Sequence, residues 1–148
     1  MKCPYNQVEL IKEIWEADVE VDICPKCHGI WLDPGELERI QQTQEIDYSQ
    51  ELQVALNEDA LAYNHDRQLR EDPIDCPACG ARMTKAEHGF NQWIVLDICP
   101  SCHGIWLDDG ELELLEIYYE KEHARHPEMS RVQLILAGFY RYFARLRS

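Results

Sequence analysis

The chain has 148 residues, 45% of them hydrophobic, which suits one ordinary domain or two small ones with a connector and excludes a disordered tail. It contains no run of about 18 apolar residues, so no helical membrane span is expected. The formal charge of −14 opposes simple binding to nucleic-acid phosphates. The charge is uneven, because Lys121, Arg125, Arg131, Arg141, Arg145 and Arg147 outnumber Glu122 and Glu128 in the last segment. An acidic body with a basic tail can pair with itself, with a second copy or with an acidic partner.

The chain opens Met1-Lys2-Cys3-Pro4-Tyr5-Asn6, without the apolar core of a secretory leader, and a cytoplasmic location is the expectation. Val19, Val21 and Ile23 then alternate with Asp18, Glu20 and Asp22, the period of a half-buried strand. The stretch Asp22 to Glu38, which contains Cys24-Pro25-Lys26-Cys27-His28-Gly29-Ile30-Trp31-Leu32-Asp33, recurs 75 residues later as Asp97 to Glu113. Lys26/Ser101 and Pro34/Asp109 are its two differences, so the chain carries an internal duplication. A helix is expected after each copy. Asp33 suits the N-cap, Pro34 the first helical position and Glu36 a capping box, and Asp108 with Glu111 repeats the device. Trp31 and Trp106, just ahead of these caps, are expected to pack each helix onto its own hairpin.

Residues 39–72 are polar and lack Gly and Pro, with Leu52, Leu56, Ala60 and Tyr63 at helical spacing. They predict a helical connector ended by Pro73, either continuous or broken near Asn57 to Asp59. The second unit then starts at Cys76-Pro77-Ala78-Cys79-Gly80, and Ile94, Leu96 and Ile98 mark its strand. On the opposite face, Trp93 and Val95 replace Asp18 and Glu20. This added apolar surface is covered by the C-terminal helix or the other repeat, or it meets a partner. Beyond Pro127, Val132, Ile135, Leu136, Phe139, Phe143 and Leu146 predict an amphipathic helix that packs on the body or on a second copy. Trp93, Val95, Phe139 and Phe143 are the candidate partner contacts.

Seven cysteines include three Cys-x-x-Cys pairs at 24/27, 76/79 and 99/102, with Cys3 alone. In a reducing compartment such pairs read as metal or redox sites rather than disulfides. Two Cys-Pro-x-Cys turns joined by a hairpin place four thiolates around one ion, and four thiolates in a tetrahedron suit Zn2+. Cys76, Cys79, Cys99 and Cys102 make one complete set, a closed and therefore structural site. Cys3, Cys24 and Cys27 make a second set, with Asn6 where the fourth thiolate is expected. Its fourth ligand is Asn6, water or His28, or the site is empty. His103 follows a complete set, which weakens His28 by analogy. His65, His88, His123 and His126 are scattered and read as exposed.

The string Cys-Pro-x-Cys-His-Gly-Ile-Trp-Leu-Asp-x-Gly-Glu-Leu, with its upstream Cys-Pro turn, resembles the bacterial transcription-factor-IIB-type zinc-finger family. The resemblance spans about residues 3–40 and 76–115. It implies a zinc-ribbon fold and zinc ligation by Cys76, Cys79, Cys99 and Cys102 and by Cys3, Cys24 and Cys27, and Asn6 departs from the pattern.

The expected architecture is a small α+β protein. Zinc-ribbon module one spans residues 1–40, a long helical connector 41–72, module two 73–118 and a C-terminal amphipathic helical segment 119–148. The leading functional reading is a non-enzymatic zinc protein that mediates protein–protein association, its two modules held apart by the connector. The alternatives are a transcription- or nucleic-acid-associated factor and a rubredoxin-like iron or redox-sensing protein. No phosphate-binding glycine loop, nucleophile elbow or His-Glu-x-x-His motif is present.

Overall fold

The computed structural model describes residues 1–15, 18–42, 58–89 and 94–147. Among the described residues, each repeat supplies three short strands. Strands β1 (Ile11–Ile14), β2 (Glu20–Ile23) and β3 (Ile30–Leu32) come from the first, and β4 (Thr84–His88), β5 (Ile94–Ile98) and β6 (Ile105–Leu107) from the second. All six join one antiparallel sheet in the order β1-β2-β3-β6-β5-β4. The two repeats meet at β3 and β6, where Ile30 faces Leu107, Trp31 faces Trp106 and Leu32 faces Ile105. The polar connector predicts two modules held apart. The structure instead fuses them edge to edge, because the two short Ile-Trp-Leu strands can each satisfy their backbone hydrogen bonds on the other.

Period-two alternation sends the side chains of each strand to opposite faces. Val21, Ile23, Ile30, Leu32, Leu96, Ile98 and Leu107 share one core with the helices. These are α1 (Glu36–Gln42), α3 (Glu111–Arg125) and α4 (Arg131–Gly138), with α5 (Tyr140–Arg147) following. Trp31 and Trp106 point to the other face, into a second cluster with Cys3, Cys24, Cys76, Cys99, Ile74 and Met83.

Helix α2 (Glu58–Arg70) packs against β5. Lys85 binds Asp97 at 2.9 Å and reaches Glu71, just past α2, at 3.8 Å. Glu87, next on that face of β4, meets His65 of α2. Val95 lies on the same face as Asp97 and is 3% exposed. It is therefore not a partner contact, because the connector helix covers it. Glu20, its counterpart in repeat one, is exposed. Trp93, Leu52, Leu56 and the expected break near Asn57 lie outside the described residues, as does the side chain of Phe143.

The C-terminal segment forms two helices rather than one, with the break at Phe139. Ser130 caps α4 in a full capping box with Gln133. Leu134, Ile135 and Phe139 are buried, and α4 packs on α1 and α3. Phe139 thus also fails as a partner contact. It lies against His88, ring centroids 4.2 Å apart. His88, expected to be exposed, is fully buried. Its Nε2 is 2.6 Å from the Tyr119 hydroxyl. Gly138 approaches the imidazole so closely that an added Cβ would lie 2.4 Å from Cε1. Burial holds the His88 ring neutral, with its pKa lowered to about 3.

Candidate metal centres

Four turns of one design carry the metal-site residues. In each, the backbone N–H four residues after the first cysteine returns to that cysteine's carbonyl. The bonds are Gln7 to Cys3 at 3.0 Å and His28 to Cys24, Gly80 to Cys76 and His103 to Cys99 at 2.9 Å. The donating residue is left-handed every time, with φ of 62° at Gln7, 64° at His28, 81° at Gly80 and 67° at His103. This turn directs the cysteine Sγ inward and turns backbone N–H groups toward it. Cys27, Cys79 and Cys102 each donate an N–H to the first sulfur of their own turn at 3.4 Å.

The hairpins bring the turns together. Cys76, Cys79, Cys99 and Cys102 place their sulfurs within 4.8 Å of one another. The Cys76–Cys102 separation is 3.7 Å and Cys79–Cys99 is 3.5 Å. Tetrahedral zinc with bonds of about 2.3 Å requires sulfurs about 3.8 Å apart. The donor set and its spacing therefore fit Zn2+. Cys3, Cys24 and Cys27 form the second cluster, with Cys3 and Cys27 3.7 Å apart. Asn6 takes the place of Cys79. Its Nδ2 donates to Cys24 Sγ at 3.4 Å, while its Oδ1 accepts the Val8 N–H at 3.0 Å. His28 does not join this cluster. It is exposed, and the fold uses it as the left-handed residue of the turn.

The thiols differ within each cluster. Burial works to raise Cys24, but N–H donors from Cys27, Asn6 and Lys26 outweigh it and hold its pKa at about 6. Cys99 is held at about 7 in the same way by the Cys102 and Ser101 N–H groups. Burial pushes Cys27 up to about 11 and Cys76 up to about 12. Each cluster so combines a thiol poised to ionise, Cys24 or Cys99, with one held protonated, Cys27 or Cys76, whose proton metal binding must displace.

Trp31 and Trp106 tie the two centres together in a way the sequence reading missed. Each indole lies on the turn glycine of the other repeat. A Cβ on Gly29 would sit 2.2 Å from Trp106 Cζ2, and one on Gly104 2.1 Å from Trp31 Cζ2. The indoles donate to Asp33 at 2.9 Å and to Asp108 at 3.1 Å. These aspartates therefore hold the tryptophans instead of capping the helices. The second half of the expected box survives, since Glu36 and Glu111 accept the Asp33 and Asp108 N–H groups at 2.9 Å. The identical Gly and Trp in both copies were the available signal. What they could not reveal was that each pairs with the other copy.

No curated protein and no solved structure matches the chain. The pattern of the transcription factor zinc-finger family matches residues 2–43 and again residues 75–116, together more than half of the 148 residues. With both matched segments carrying a thiolate cluster of zinc geometry, the chain belongs to the transcription factor zinc-finger family as a zinc-binding protein with two tandem ribbons.

Proposed function

We propose that this is a non-enzymatic protein whose ribbons mediate protein–protein association, with zinc in a structural role. A four-thiolate shell has no position left for a substrate, and its binding energy acts as folding energy. The observation that carries the association reading is strand β1. It forms one end of the sheet, and its four residues are exposed, including Ile11 at 43% and Ile14 at 66%. An exposed apolar edge strand is a template for an added strand. The net charge of −14 favours a basic incoming strand over a second copy. The test follows β1 amide resonances of the zinc-loaded chain during titration with a Lys/Val-alternating peptide, alongside sedimentation from micromolar to millimolar concentration. Shifts confined to β1 and lost in Ile14→Lys support the proposal. An unmoved β1 in a chain that stays monomeric defeats it.

The family description favours a second reading, a transcription- or nucleic-acid-associated factor. Phosphate contacts would make binding fall steeply with salt, and the acidic charge opposes them. The cytoplasmic setting belongs to the same proposal. No described helix is long and apolar enough to cross a membrane.

A further inference from the structure

We infer that the Asn6 corner of the first centre is an open coordination position that accepts a thiolate from a small external thiol, neutral or cationic in preference to anionic. The inference rests on zinc binding at that centre and concerns what the chain's own residues leave for a fourth ligand.

Three observations carry it. The carboxamide is turned to serve other groups. Its oxygen, the atom of an amide that ligates zinc, accepts the Val8 N–H at 3.0 Å, and its nitrogen lies nearer Cys24 Sγ, at 3.4 Å, than the oxygen does, at 3.6 Å. Asn6 therefore stands at the corner as a hydrogen-bond donor to sulfur. The corner is also reachable. Cys79, which fills the equivalent place in the complete centre, is exposed and Asn6 is half-buried, whereas Cys3 and Cys24 are fully buried. Finally, the surroundings select by charge. A cleft of about 650 Å³ opens against Cys27 and Tyr5, with Glu71, Asp72, Asp108 and Asp109 in its lining. Arg67, the one cation among the described residues of that lining, is bound to Glu71 at 2.6 Å.

The chemistry balances simply. Three thiolates and Zn2+ carry one net negative charge, and a fourth thiolate brings the shell to that of the complete centre. The incoming sulfur binds as thiolate, its proton passes to bulk water, and no electron is transferred. The Asn6 N–H remains beside the corner as a donor to sulfur.

The experiment uses the full chain loaded with Co2+, reduced with a phosphine so that no thiol is present. Cobalt–thiolate spectra report each centre without any activity assay. The expected result is two cobalt ions per chain, one of which responds saturably to 2-mercaptoethanol with intensified d–d bands. Asn6→Cys closes the corner with its own thiolate and removes the response. Cys79→Asn opens the equivalent corner and adds a second responding ion. Cysteamine binds at least about threefold more tightly than thioglycolate at low salt, and the difference narrows as salt rises. Two bound cobalt ions with no thiol response overturn the inference and leave zinc binding intact. A single bound cobalt overturns it because the first centre then holds no metal. A response that persists in Asn6→Cys places the thiol elsewhere and overturns it too. Equal binding of the two thiols refutes the charge selection.

Discussion

Replacing Gly104 by alanine tests whether the two repeats are locked together by their tryptophans. The added Cβ would lie 2.1 Å from Trp31 Cζ2 and 2.2 Å from Cη2, where carbon atoms need about 3.5–4.0 Å. The ring must therefore retreat by roughly 1.4 Å. It has nowhere to go, being fully buried and tied through Nε1 to Asp33 at 2.9 Å. Gly104 is not among the glycines with positive φ, so the backbone itself accepts alanine. Overpacking of this severity costs about 2–4 kcal/mol. Trp31→Leu removes the two clashing ring atoms and costs about 3–5 kcal/mol of its own. In that background Gly104→Ala should cost less than about 1 kcal/mol, leaving a coupling of about 2 kcal/mol between residues on different repeats. Urea unfolding of the four proteins, followed by far-UV circular dichroism at one fixed excess of zinc, measures the cycle. An unchanged cost of Gly104→Ala in the Trp31→Leu background would refute the interlock.

Other consequences are open to measurement. Neutral His88 has a folded pKa of about 3 against an ordinary 6.5, so below pH 6.5 the unfolded chain gains a proton that the folded chain refuses. Its stabilisation is complete above pH 6.5 and is lost by about 1.4 kcal/mol per unit as pH falls toward 3. The stability–pH slope between pH 6 and 4 should be shallower by that amount in His88→Phe, and equal slopes would refute the assignment. A chelator titration read with a chromogenic zinc reporter should be biphasic, the three-thiolate centre emptying before the four-thiolate one. Cys99→Ala should lower zinc content by one ion per chain and leave the first centre filled. Ser130→Ala removes the acceptor of the Gln133 N–H, a 3.1 Å bond, and should cost about 1 kcal/mol in a thermal melt.

The alternation of Val19, Val21 and Ile23, the repeated Cys-Pro turns and the copied Gly-Ile-Trp-Leu-Asp string were enough to read two ribbons, the helices after them and both thiolate clusters. These features are local. A Cys-x-x-Cys turn and a hairpin are built by residues close in the chain, so spacing alone reports which sulfurs can converge. Asn6 was legible as a departure for the same reason. The orientation of its amide was not, because that depends on the Val8 N–H and on Cys24, which the hairpin brings in from 18 residues away.

What tertiary structure alone decided is how the two copies face each other. Pairing of β3 with β6 and seating of Trp31 on Gly104 and of Trp106 on Gly29 join residues about 75 positions apart, while Asp33 and Asp108, two residues beyond each tryptophan, hold the indoles in those seats. Duplicate strings look the same whether each copy packs on itself or on its twin. The same limit applies to Val95 under α2 and to His88 under Gly138 and Phe139. Apolar pattern says that a surface must be covered, because leaving it in water is costly, while the identity of the cover is set by which element the finished chain can bring to it.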